Sequence, residues 1–193
     1  MSLSLSGQRR GGRLIAIGAS FVEQGGFDHL QGLVGGRLVF SKVATGGHRS
    51  DQIAARVAGE VLPLNPLIVI VDAGGNDILQ DVANSTIQSN LLGIYDELES
   101  AGITVHTCSI QVFDPDYSGY SADRITRRLA MNEWIRAQGR PFFNYDDAVG
   151  DGTTPNPNLN PAYDSGDHLH LNNAGDLVVS RTAHRQLFNG RTY

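Results

Sequence analysis

Short β-branched apolar runs alternate along this chain with stretches where apolar residues return every three or four positions. Residues 13–19 (RLIAIGA), 37–44 (RLVFSKVA), 67–73 (LIVIVDA), 103–110 (ITVHTCSI) and 141–145 read as five strands. The third is almost continuously apolar between Pro66 and Gly74, the pattern of a central parallel strand covered on both faces. Helical spacing fills the gaps. Residues 49–62 place Ile53, Val57 and Val61 four apart, with Ser50 and Asp51 available as caps. Residues 86–101 carry Ile87, Leu91, Ile94 and Leu98 before a stop at Gly102, and residues 122–138 and 173–188 complete the set. Strands alternating with helices predict a three-layer α/β/α sandwich on a flavodoxin-like, five-stranded parallel sheet. Its site belongs at the carboxyl ends of the strands.

Two segments break the alternation. Residues 1–12 (MSLSLSGQRRGG) put arginines after the leucines, the reverse of a secretory signal, and read as a flexible lead-in. Residues 146–166 hold Pro155, Pro157 and Pro161 with several Asn and Gly and no periodicity. A loop that long inside a compact domain is usually functional or disordered, and this one runs straight into DHLH, which favours function.

Composition narrows the class. At 193 residues, with a prior of about 150 per domain, residues 13–193 read as one domain able to bury its own core. The single Cys rules out an intramolecular disulfide, and Cys108 lies inside an apolar strand, where a core role fits better than a nucleophilic one. A net charge of −5 with scattered basic residues argues against nucleic acid as a partner. No run approaches the ~20 apolar residues of a membrane span. The chain reads as cytoplasmic, or as secreted with its signal already removed, and its oligomeric state is open.

Four short motifs fall where this architecture puts its site. Gly18-Ala19-Ser20 follows the first strand: a serine at a strand-to-helix turn suits a nucleophile, and equally an ordinary N-cap. Gly46-Gly47 follows the second strand and could offer a backbone N–H to an oxyanion, or be a plain turn. Gly74-Gly75-Asn76-Asp77 ends the third strand, where Asn76 could aim its amide into the crevice; turn chemistry explains it as well. Asp167-His168-Leu169-His170 could pair a carboxylate with an imidazole, or be a surface histidine pair.

Taken together, and in this order, the four blocks resemble the SGNH (GDSL-type) hydrolase family from Leu14 to about Leu187. Residues 161–170, PAYDSGDHLH, are the stretch most similar to bacterial members. The resemblance implies that Ser20 is the nucleophile, His170 the general base and then acid, and Asp167 its orienting partner. It implies an oxyanion hole of the Ser20 and Gly47 N–H groups with the Asn76 side chain, and leaves His168 without a role. It implies a serine esterase that needs no metal or organic cofactor, acting on a small-molecule or carbohydrate ester. Phe113, Tyr117, Tyr120 and Tyr163, near the expected crevice, give a slight preference for short acyl groups such as acetyl on carbohydrate. Two positions depart from the family: Ala19 stands where an Asp usually supports the nucleophile turn, and Leu171 where a Pro is common. Restoring Asp at position 19 is expected to leave the fold intact and to keep or raise turnover.

Three rival readings compete with it. A metal site on Asp167, His168 and His170 lacks a second ligand cluster, and the chain is short for the barrels that use His-x-His. A nucleotide-binding domain lacks a phosphate-cradling loop in GASFVEQGG. A catalytically inactive binding module of the same fold is supported only by Ala19.

Overall fold

The computed structural model describes residues 12–189, so the lead-in expected at residues 1–12 lies outside the described residues except for Gly12, which opens the first strand. Five parallel strands, β1 (Gly12–Gly18), β2 (Leu38–Ala44), β3 (Ile68–Val71), β4 (Thr104–Cys108) and β5 (Phe142–Phe143), form one sheet in the order β2-β1-β3-β4-β5. This is the flavodoxin-like order the alternating pattern predicts. β3 is buried at all four positions, and Leu14 to Ile17 of β1 are fully enclosed. Parallel strands buried on both faces need this continuous apolar character.

Among the described residues six α-helices lie between the strands, α1 (Ser20–Gln24), α2 (Leu30–Val34), α3 (Ser50–Arg56), α4 (Gly75–Leu79), α5 (Asn84–Ser100) and α6 (Ala122–Ala137), and two follow β5, α7 (Tyr145–Val149) and α8 (Asn173–Ala183). The longer ones follow the periodicity, and α5 buries Ile87, Leu91, Ile94 and Leu98 as its spacing requires. The helix expected over 49–62 stays α-helical only to Arg56. It widens to a π-turn at Val57–Val61 and tightens at Leu62–Leu64, where Gly59 and Pro63 weaken the regular ladder. Ile53, Val57 and Val61 are nonetheless fully buried. The last helix likewise ends in a π-turn at His184–Phe188.

Four five-residue helices, α1, α2, α4 and α7, have no periodic signature, because one turn is too short to show a repeat. α7 also corrects the irregular segment expected at 146–166, since its first four residues are helical. The rest is loop, pinned by bridges between Gly150 and Leu159 and between Asp164 and Leu171.

The sheet order reverses between β1 and β3. Chain leaving β1 passes to β2 on one side, and β3 opens the other, so a crevice forms between the carboxyl ends of β1 and β3. Ser20 follows the first of these strands and Asn76 the second.

Candidate active site

Ser20 is the first residue of α1, and the N-cap position before it belongs to Ala19, so its hydroxyl is not used for capping. It meets His170 instead: Ser20 Oγ lies 2.9 Å from His170 Nε2 across 150 residues of sequence. The other ring nitrogen, Nδ1, lies 2.6 Å from Asp167 Oδ2. That contact places the imidazole proton on Nδ1 and leaves Nε2 free to accept from the serine. The His170 ring also packs against Phe21, with centroids 5.6 Å apart.

Asp167 divides its work between its two oxygens. While Oδ2 holds the imidazole, Oδ1 accepts the backbone N–H groups of Leu169 (3.0 Å) and His170 (2.8 Å) and the Ser165 hydroxyl (3.1 Å). Partial burial pushes this carboxyl up, but the bonds from the His170 ring and from the two N–H groups outweigh it and hold the acid well below the usual carboxylate range. The loop is further braced by Ser165 N–H on the His170 carbonyl (2.9 Å) and by Asp164 Oδ1 accepting from Gly166 and His168 N–H. Asn172 caps α8 by accepting from Ala174 and Gly175 N–H.

His168 points elsewhere. Its backbone is left-handed, at φ 66°, and its Nδ1 lies 3.2 Å from Asp164 Oδ2 and 3.7 Å from Asp114 Oδ1. The trio weighed as a metal site is thereby split: among the described residues His168 groups with Asp114 and Asp116, away from the Asp167–His170 pair.

Gly46, the neighbour of Gly47, is held near the serine by a tether that sequence reasoning missed. Glu23 Oε2 in α1 accepts the Gly46 N–H at 2.9 Å, and Thr45 N–H reaches the Gly18 carbonyl at 3.3 Å. Gly47 then adopts φ 78°, a left-handed conformation that disfavours any other residue. Asn76 spends one amide N–H on the His48 carbonyl at 3.0 Å, and its second N–H is left for the crevice that it lines with Ser20.

Ala19, Phe21, His48, Asp72 and Gln111 share that crevice. Asp72 is buried, and its Oδ2 accepts the Tyr145 hydroxyl at 2.7 Å. Burial pushes its carboxyl up to about 6, against the opposing effect of the Tyr145 bond. Asp72 directly follows the apolar strand β3, and a carboxylate at that place was the one available signal for it. The aromatic residues expected near the crevice do not line it: Phe113 is fully buried and packs on Tyr117, and Phe21 is the aromatic present. Cys108 is buried, with its thiol pushed well up by desolvation and by Asp72, in keeping with a core role.

The GDSL-like lipase/acylhydrolase family model matches residues 16–177, which span all four blocks. The chain belongs to the GDSL-like lipase/acylhydrolase family. Solved structures of the same fold include a GDSL-like lipase from Bacteroides thetaiotaomicron, 18% identical, with a TM-score of 0.77 over 93% of this chain and 89% of that one. A variant of an acetyl-xylooligosaccharide esterase from Geobacillus is 15% identical, with a TM-score of 0.75 over 95% and 98%. A psychrotrophic esterase from a Pseudoalteromonas species is 16% identical, with a TM-score of 0.71 over 91% and 96%. No curated protein matches the acylhydrolase by sequence. Among its described residues no helix is long and apolar enough to cross a membrane.

Proposed function

We propose that this acylhydrolase is a serine esterase working through an acyl-enzyme. The observation that carries the reading is the continuous relay from Ser20 Oγ through His170 to Asp167, with contacts of 2.9 and 2.6 Å. Ser20 Oγ attacks the ester carbonyl carbon while its proton passes to His170 Nε2, and the Asp167 carboxylate stabilises the resulting imidazolium. The Ser20 and Gly47 N–H groups and the free N–H of Asn76 receive the oxyanion. Collapse expels the alcohol, which takes the proton from His170. Water, deprotonated by the same nitrogen, then releases the acid and restores the serine. No step calls for a metal or organic cofactor.

A short acyl group, such as acetyl on a carbohydrate, is the substrate class we favour. Support comes from the small polar crevice beside Ser20 and from the fold shared with an acetyl-xylooligosaccharide esterase. The test is hydrolysis of p-nitrophenyl acetate by the wild type, Ser20→Ala and His170→Ala, with folding verified for all three. Turnover by the wild type and its loss in both variants is the expected result. Equal turnover in all three would misplace the site. A wild type inactive on acyl chains up to octanoate and on acetylated sugars would make the chain a binding module.

A further inference from the structure

The crevice beside Ser20 carries hydrogen-bonding capacity that the relay and the oxyanion donors leave unspent. Gln111, just beyond β4, is only 7% exposed, and its side-chain amide makes no hydrogen bond to a described residue. Its position is built. The preceding residue is clamped by α6: Ile110 N–H donates to Asn132 Oδ1 at 2.7 Å, and the Ile110 carbonyl accepts from Asn132 Nδ2 and from the fully buried Arg128, both at 3.2 Å. On the other side Gly75 makes room for the amide, since a Cβ there would lie 2.5 Å from Gln111 Nε2. His48 lines the same crevice, and its Nδ1 is buried without a partner.

Water can complete that amide in the free protein, and a ligand that displaces the water has to replace its hydrogen bonds. The lining of the space is mainly polar, which suits a hydroxyl better than a hydrocarbon chain. A hydroxyl both donates and accepts, as the Gln111 amide does. Ser20 and Asn76 border the same space, so the hydroxyl has to sit close to the ester under attack.

We propose that Gln111 is a specificity-determining residue that binds a hydroxyl next to the scissile ester, selecting hydroxylated esters over plain alkyl ones. The inference rests on the esterase reading above. The hydroxyl can belong to the alcohol part, as in a polyol monoacetate, or to the acyl part, as in a hydroxyacetate.

Two substrate pairs, each differing by a hydroxyl in place of a methyl, separate these sources. They are 2-hydroxyethyl acetate against propyl acetate, and ethyl hydroxyacetate against ethyl propanoate. Acid release under constant pH gives kcat/KM for the wild type, Gln111→Met and Gln111→Leu, with melting temperature as the check on folding. Comparing variant with wild type cancels the intrinsic reactivity of each ester. The hydroxyl preference should drop about five- to tenfold in Gln111→Met for one pair and hold for the other, and that pair names the source. Gln111→Leu also removes both hydrogen-bonding atoms and adds no charge, so the preference should fall in the same pair, and it carries the test if the methionine variant does not fold. An unchanged preference in both pairs, or an equal fall on all four esters, overturns the proposal. Failure of the wild type on p-nitrophenyl acetate would instead sink the esterase reading, and this inference with it.

Discussion

Asp77 grips Ser50 with both carboxylate oxygens: the Ser50 N–H donates to Oδ2 at 2.8 Å and its hydroxyl to Oδ1 at 2.6 Å. Asn90 Nδ2 donates to the same hydroxyl at 2.9 Å. Ser50 therefore does not cap α3 through its side chain; Arg49 N–H closes that end on Gln52 Oε1 at 3.0 Å. Asn76, next in line, holds the His48 carbonyl, so two successive residues of α4 latch onto the segment that presents Gly47. The acid at the end of the Gly-Gly-Asn-Asp block is thus a structural clamp between the two segments proposed to supply oxyanion donors, those of Gly47 and Asn76.

Replacing Asp77 by Ala should cost about 1–3 kcal/mol, because it strands a buried N–H and a buried hydroxyl. Turnover should fall as well, since the Gly47 segment loses one of its two ties to α4. Urea denaturation with a parallel kinetic measurement checks both, and an unchanged unfolding midpoint would show that the clamp bears no strain.

Asn76→Ala should lower kcat about 10²–10³-fold with little change in KM, as expected when one donor to a developing oxyanion is removed. Its bond to the His48 carbonyl is also lost, adding a destabilisation of about 1 kcal/mol. Steady-state kinetics on p-nitrophenyl acetate reads the first effect, and urea denaturation reads the second. A variant altered mainly in KM would place Asn76 on the ground-state substrate instead.

Much of this was legible beforehand because it rests on short-range rules. β-branched apolar runs such as residues 67–73 announce central parallel strands, and the spacing Ile87, Leu91, Ile94, Leu98 announces α5. The blocks holding Ser20, Asn76, Asp167 and His170 were each ambiguous alone and became readable only through their order along the chain, which resembles a known family. Their supports could not be read. Glu23 reaches Gly46 across 23 residues, and Tyr145 reaches Asp72 across 73, and nothing near either residue announces the partner. Ser50 shows the same limit, since its local signal as a cap was real and a long-range carboxylate outbid it.

Asp167→Asn should keep the loop while losing the chemistry. An amide oxygen can still accept from Leu169 and His170 N–H, but an amide N–H facing His170 Nδ1 favours the tautomer that cannot take the Ser20 proton. A fall in kcat of about 10³–10⁴-fold is expected, at nearly wild-type stability. Because the carboxyl is held well below its usual range, it stays ionised across the acid limb of the wild-type pH–rate profile. The ionisation of Asp167 should therefore leave that limb unchanged.

Asp72 makes a prediction about stability that runs opposite to that of most carboxylates. Its folded value, pushed up to about 6 by burial, exceeds the unfolded value near 3.8, so the native state favours the protonated acid. Its contribution is fully present below about pH 4 and is lost as pH rises through about 6, at a cost of up to about 3 kcal/mol. Asp72→Asn removes the ionisation while leaving an oxygen to accept the Tyr145 hydroxyl. Relative to the wild type it should gain stability progressively from pH 4 to pH 7 and then level off. Tyr145→Phe removes the one hydrogen bond that favours the ionised acid, and should carry the loss to higher pH. Urea midpoints from pH 4 to 8 test both. If the wild type and Asp72→Asn trace parallel curves, the Asp72 carboxyl ionises in the native protein as readily as in the unfolded chain, and the burial argument fails.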